Sequence, residues 1–404
     1  MTRTVFTGGL VYDGSRATPA EADLAIEAGR IVEVGTGIDG DHVVDCTGHW
    51  ISPGFFDCHV HVMFERPDYL QILQTPFSLS FYQAAINLRA TLDTGVTSIR
   101  DASGADLGVK EAVARGLIPG PRMQISISML SQTGGHGDAW QACGSHVPLF
   151  PPHPGRPSGI VDGPDEVRRK VRELIRAGAD VVKVATTGGV LSTRDDPRHS
   201  HFRDAEVAVM VEEATAAGLF VMAHAQGADG IKTAIRHGIR SIEHGVFLDD
   251  EAIEMMLAAG TWLVPTMHAP RAVLQAAEEG AAIPQAAIDK TLMLMDAHQE
   301  SVRRAHEAGV RIAMGTDCGV GRHGTNLDEL SLMMGAGLSA VEALHAATGS
   351  AAELLGVSDD RGTLQPGSRA DLVVVEGSPG ELADLRPRIR VVYLDGVRVA
   401  PLEE

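Results

Sequence analysis

The sequence predicts an α/β protein: a (β/α)8 TIM-like barrel with a small β-sandwich domain formed from both chain ends. Three observations lead there. Short apolar, strand-like runs alternate with helical stretches eight times through the middle of the 404 residues. Several helical stretches stop at a glycine (Gly95, Gly178, Gly218, Gly260, Gly309), as a left-handed C-terminal cap requires. The two chain ends carry short strands split by Gly and Asp turns, and neither set makes a useful sheet alone.

In chain order, the N-terminal strands are Val5–Thr7, Gly9–Tyr12, Ala22–Ile26 and Arg30–Val34, and the C-terminal ones are Ala370–Val375 and Ile389–Leu394. Pairing the two sets gives a composite unit of residues 1–52 and 360–404, with 53–359 inserted as the barrel. The barrel strands are the run into His61, then Thr97–Arg100, Met123–Ile127, Val181–Val184, Leu219–His224, Ser241–His244, Trp262–Thr266 and Arg311–Asp317. Eight strand–helix units favour a closed barrel over an open doubly wound sheet, and place chemistry at the C-terminal strand ends. The connection 131–163 is long, rich in Gly, Pro and His, and without periodicity. Such a loop in a compact domain is expected to be functional, here as a cover over the barrel mouth.

Composition excludes several classes of function. Lys and Arg number 34 against 53 Asp and Glu, a net charge of −19, so neither nucleic acid nor an anionic membrane is an expected partner. The N-terminus lacks the pattern of a secretory signal, and no apolar run is long enough to span a bilayer. The four cysteines follow no zinc-knuckle or disulfide spacing, so a reduced, cytoplasmic setting is expected, with Cys58 and Cys318 as small buried fillers.

The chemistry begins at Gly54-Phe55-Phe56-Asp57-Cys58-His59-Val60-His61. Two histidines two residues apart on a strand point the same way, and imidazole is a preferred ligand of zinc and its neighbours. A lone His-x-His is a weak signal. Here, however, His224 closes the fifth strand, His244 the sixth and Asp317 the eighth, while Lys183 lies within the fourth. Burial lowers the pKa of a lysine, and a neutral amine can add carbon dioxide to become a carbamate, whose two oxygens suit a bridge between two cations. Six coincident structural roles at the mouths of five strands would be a poor alternative to a metal site.

These stretches resemble the amidohydrolase superfamily, in its imidazolonepropionase-like and prolidase-like branch with a carboxylated lysine. The resemblance rests on Pro53–His61, Ala179–Val184, Met222–Gly227, Ser241–Gly245 and Gly315–Asp317, all in order on successive strands. It implies two divalent metal ions, with zinc the expected metal. His59 and His61 would hold the more buried ion, His224 and His244 the more exposed one. N-carboxylated Lys183 would bridge them, and Asp317 would bind a metal while acting as general base.

The resemblance also implies a small-molecule amide substrate and a homo-oligomer. Gly134-Gly135-His136-Gly137-Asp138 resembles the segment by which this branch presents a histidine to substrate, which makes His136 the candidate for holding a substrate carboxylate or carbonyl. Gln226 stands where dipeptide-cleaving relatives often carry an aromatic residue, so simple dipeptidase specificity is not implied. His268, after the seventh strand, is a further candidate for the pocket, and Arg100 and Asp101 are expected to form a structural ion pair. Arg194, Arg198, His199 and His201 offer cations for an acidic product, or exposed charge.

The expected activity is hydrolysis of an amide bond in a dipeptide or N-acyl amino acid. The alternatives are a xenobiotic amide, carbamate or urea of the mycotoxin or herbicide type, and a cyclic-amide hydrolase or deaminase. Deaminases of the superfamily usually manage with one metal and no bridging lysine, so Lys183 weighs against them.

Overall fold

The computed structural model describes residues 2–192 and 194–400, so Met1 and 401–404, at the ends of the expected composite unit, lie outside the described residues. Parallel strands form two arcs. One joins β1 (Phe55–Val60), β2 (Val96–Asp101) and β3 (Arg122–Ile125). The other joins β4 (Val181–Ala185), β5 (Phe220–Ala225), β6 (Ser241–His244) and β7 (Trp262–Val264), with Met129–Leu130 beside β4.

Hydrogen bonds carry the ring across both gaps. The extended segment 311–317 lies between β7 and β1: Ala313 N–H donates to Leu263 O at 3.0 Å, Cys58 N–H to Met314 O at 2.8 Å, and Asp317 N–H to His59 O at 2.7 Å. Between β3 and β4, Asp180 N–H donates to Ile125 O at 2.8 Å. Every residue of β1, β2 and β4 is buried, as expected of parallel strands covered on both faces, and β1 and β2 bury Asp57, His59, Thr97, Ser98, Arg100 and Asp101 along with their apolar residues. The helices terminate as the glycines require. Pro164–Ala177, for example, starts with proline in its first turn and ends on Gly178 at φ 95°.

The chain ends build two further sheets. A four-stranded sheet orders Arg30–Gly35, Asp23–Glu27, Thr4–Thr7 and His42–Asp45. A six-stranded sheet takes Val397–Ala400, Ile389–Leu394 and Leu372–Glu376 from the C-terminal side, and His49–Pro53, Leu10–Val11 and Ala20–Glu21 from the N-terminal side. Phe6, Leu24, Ile26, Ile31, Ile51, Leu372 and Val374 form one buried cluster shared by both sheets. His49–Pro53 runs directly into β1 through Gly54, where a Cβ would fall 2.1 Å from Thr97 Oγ1. Only glycine permits that approach, and it sets the angle at which β1 brings its two histidines to the mouth.

Candidate active site

β1 delivers His59 and, one residue past its end, His61 to one point, β5 delivers His224, β6 His244, β4 Lys183, and segment 311–317 Asp317. The ring centroids of His59 lie 5.5 Å from His61 and 5.1 Å from His244, and His224 lies 4.7 Å from His244. Lys183 Nζ is 3.5 Å from His59 Nε2. Asp317 Oδ1 is 3.1 Å from His61 Nε2 and 3.5 Å from His59 Nε2. Donor atoms of His59, His244 and Asp317 all fall within 4.8 Å of one another. Three strand-end residues, His244 (φ 73°), Thr266 (φ 53°) and Asp317 (φ 62°), take the left-handed conformation, a strain that a rigid ring must impose and that recurs at functional sites.

Each imidazole has one nitrogen tied to an acceptor outside the centre. His59 Nδ1 donates to Glu243 Oε2 at 2.8 Å, His61 Nδ1 to Ser103 O at 2.8 Å, and His224 Nε2 to Gly188 O at 2.9 Å. His244 Nδ1 donates to Thr266 Oγ1 at 2.6 Å, because that hydroxyl spends its own hydrogen on Pro265 O at 2.7 Å. The other nitrogen of His59, His224 and His244, whose rings are neutral, therefore bears a lone pair, while His61 Nε2 faces Asp317 Oδ1 at 3.1 Å.

Burial holds His59, His224 and His244 well below the usual imidazole range. His61 alone is held up, because its contact with Asp317 outweighs burial. Burial brings Lys183 down to about 8. It pushes Asp317 upward, but His59, His61 and Lys183 outweigh it and keep the carboxylate below its usual range. Asp317 Oδ1 is buried without a well-formed hydrogen bond. Lone pairs facing a carboxylate oxygen repel one another unless a cation sits among them, so this donor set fits divalent metal.

The centre opens into a cavity of about 450 Å³. Residues 136–139, 146–150 and 156–160 of the long connection line it, as do Phe64, Val190, Val273 and Val320. His136 lies here, its ring stacked on His224 at 4.2 Å and its Nδ1 2.9 Å from Ser192 Oγ; burial holds it neutral, down to about 4. Gln226 also lines the cavity, and its buried Oε1 has no partner among the described residues.

Two expectations are corrected. His268 is not among the cavity-lining residues: its Nε2 bonds Thr325 Oγ1 at 3.0 Å behind the wall, and His298 lines the space instead. Arg100 does not pair with Asp101, because neighbours on a strand face opposite ways. Arg100 Nη2 donates to Glu243 Oε1 at 2.9 Å, while Asp101 accepts the Val62, Ser103 and Ala105 amides. Arg194 stacks over Trp140 at 4.9 Å and Arg198 pairs with Asp196 at 2.6 Å. Arg194, Arg198, His199 and His201 do not line the cavity. Sequence reasoning missed Glu243 and Ser192, although Glu243 sits next to His244 and both side chains approach His59.

Comparison with known proteins agrees with this geometry. The amidohydrolase family model matches residues 50–399. An ochratoxinase of Aspergillus niger is 36% identical over 344 residues, covering 82% of this chain and 71% of the relative. An imidazolonepropionase of Hyphomonas neptunium is 25% identical over 418 residues, covering 93% of this chain and 91% of the relative. Among solved structures, a prolidase complexed with N-methylphosphonate-L-proline superposes with a TM-score of 0.90 at 35% identity, covering 98% of this chain and 99% of that one. A Xaa-Pro dipeptidase with bound methionine superposes with a TM-score of 0.90 at 32% identity and the same coverage. With six converging donors on a parallel barrel and a match over nearly its whole length, this chain belongs to the amidohydrolase family and is a hydrolase acting on carbon–nitrogen bonds.

Proposed function

We propose that the chain is a binuclear metal-dependent amide hydrolase whose substrate is a dipeptide or N-acyl amino acid. The observation that carries this reading is the outward tethering of all four imidazoles, which turns one nitrogen of each away from the centre and gathers donor atoms of His59, His61 and His244 with Asp317 and Lys183. His59 and His61 would hold one ion and His224 and His244 the other, with N-carboxylated Lys183 between them and Asp317 on one; zinc suits the imidazole-rich set. The chemistry that such ions supply is activation of water and polarisation of a carbonyl oxygen. Asp317, already ionised, takes the proton of the attacking water and passes it to the departing amine. His136, neutral and fixed by Ser192, and the unpartnered amide of Gln226 orient the substrate beside it. Residues 1–52 with 360–404 form the supporting unit and 53–359 the catalytic barrel. The unpaired cysteines suit a reduced, cytoplasmic setting. Exposed Leu70, Leu73, Phe77, Tyr82 and Ile86 suit assembly into a homo-oligomer.

The size and apolar lining of the cavity support a bulky apolar group on the substrate. They also keep open a mycotoxin-type amide as the second reading, given the likeness to ochratoxinase. A screen of dipeptides, N-acyl amino acids and aryl carbamates with metal-loaded protein tests both. The expected result is about two ions per chain, hydrolysis confined to amides, and a loss of at least about a thousandfold in kcat for a folded, metallated Asp317→Asn chain. One ion per chain, or near wild-type turnover by Asp317→Asn, overturns the mechanism.

A further inference from the structure

Arg156 is a charged side chain that the mechanism leaves unused. It lies in the long connection and is only 2% exposed, yet it lines both the catalytic cavity and a smaller adjoining one of about 150 Å³. Phe64, Leu149 and Phe150 line both spaces and so form the partition between them. Arg156 donates through Nη1 to Gly104 O and through Nη2 to Pro151 O at 2.9 Å, and its carbon Cζ stands 5.7 Å from the Phe150 ring centroid. Phe150 in turn stacks on His61 at 5.7 Å, so the guanidinium sits behind a ring that touches the metal centre.

Among the described residues no salt bridge compensates its charge, on which Asp101 and Asp106 act only from a distance. Its buried Nε has no hydrogen-bond partner. The nearest acids are committed elsewhere. Asp101 accepts three backbone amides, and Asp106 caps Leu107–Ala114 through Val109 N at 3.0 Å. A buried guanidinium without an anion is unfavourable, and two neutral carbonyls leave its charge unmatched. The other basic residue lining the cavity, apart from its histidines, is Lys183, which faces the metal ligands.

We propose that Arg156 is a specificity-determining residue that selects substrates bearing a free carboxylate, received in the part of the cavity bounded by Phe64 and Phe150. This rests on reading the cavity as an amide-hydrolase site, and it deepens that reading by giving recognition of the unblocked carboxyl group to one residue, Arg156. Neutral anilides, carbamates and esters are poor substrates by the same token. Arginine suits the task because its planar fork keeps spare N–H donors for an anion while holding the two carbonyls.

The test pairs N-benzoyl-L-phenylalanine with its methyl ester. Hydrolysis is followed in the metal-loaded wild-type chain, and binding is measured by calorimetry in an Asp317→Asn background that prevents turnover. The free acid is expected to exceed the ester by about a hundredfold in kcat/KM and in affinity. Arg156→Met removes that ratio while leaving the ester unchanged within about threefold, and Arg156→Lys retains part of it. Acid and ester treated alike by the wild-type chain, or an Arg156→Met chain that loses both equally, overturns the proposal. If neither variant folds, Arg156→Gln, which keeps amide donors for the two carbonyls without the charge, is read in their place, and an unchanged acid-to-ester ratio there overturns the proposal. Preferential binding of the acid without any turnover would uphold the anion site and sink the hydrolase reading instead.

Discussion

Glu243 is buried between His59 and Arg100 and accepts from both, so a single carboxylate fixes the ring of a candidate ligand and is itself held by a guanidinium. Arg100 also donates through Nε to Cys58 O at 2.7 Å, locking the backbone on which His59 stands. An anionic acceptor on Nδ1 sets the tautomer of the ring and makes its Nε2 a stronger donor to metal. Replacing Glu243 by Gln keeps the shape but removes the charge. The expected outcome is about 10–100-fold weaker metal retention, measured as metal content against a graded chelator in an otherwise folded chain. Retention equal to wild type would reduce Glu243 to a filler of buried space.

The loop after β4 shows how whole elements position the site. Lys290, from helix Gln285–Ala308, donates to Gly189 O at 2.9 Å, Ser192 O at 2.8 Å and Asp195 Oδ1 at 3.1 Å. Ser192 then holds His136, and Gly189 lies so close that a Cβ there would sit 2.2 Å from His136 Cε1. Arg194 over Trp140 ties this loop to the long connection. A distant helix thus sets the orientation of a candidate substrate contact. Lys290→Met is expected to lower kcat/KM by about tenfold or more with metal content unchanged, because a small misplacement of a positioning group is enough. Steady-state kinetics indistinguishable from wild type would confine Lys290 to stability.

At the scale of the whole molecule, the barrel gathers three buried imidazoles, the partly buried His61, a buried lysine and a buried carboxylate at one mouth, an arrangement that metal would relieve. Removing metal should therefore destabilise the fold as well as stop turnover. Ions at a thousandfold over Kd contribute about 4 kcal/mol, so chelation is expected to lower Tm by several degrees, restored on adding metal back; an unchanged Tm counts against a resident metal. Much of this was legible in the sequence. Apolar runs, glycine caps and residue types at strand ends are local signals, and they suffice for the alternating strands and helices, the approximate strand ends, and the choice of His59, His61, Lys183, His224, His244 and Asp317 as side chains that the fold brings to one mouth. What only the tertiary structure decided is which side chains meet across long separations: Glu243 under His59, 184 residues away, Lys290 under Gly189, 101 residues away, and an unpaired Arg156 in the cavity wall. It also turned His268 away and separated Arg100 from Asp101, because a side chain's facing depends on strand pleat and ring closure, and those belong to the assembled barrel rather than to neighbouring residues.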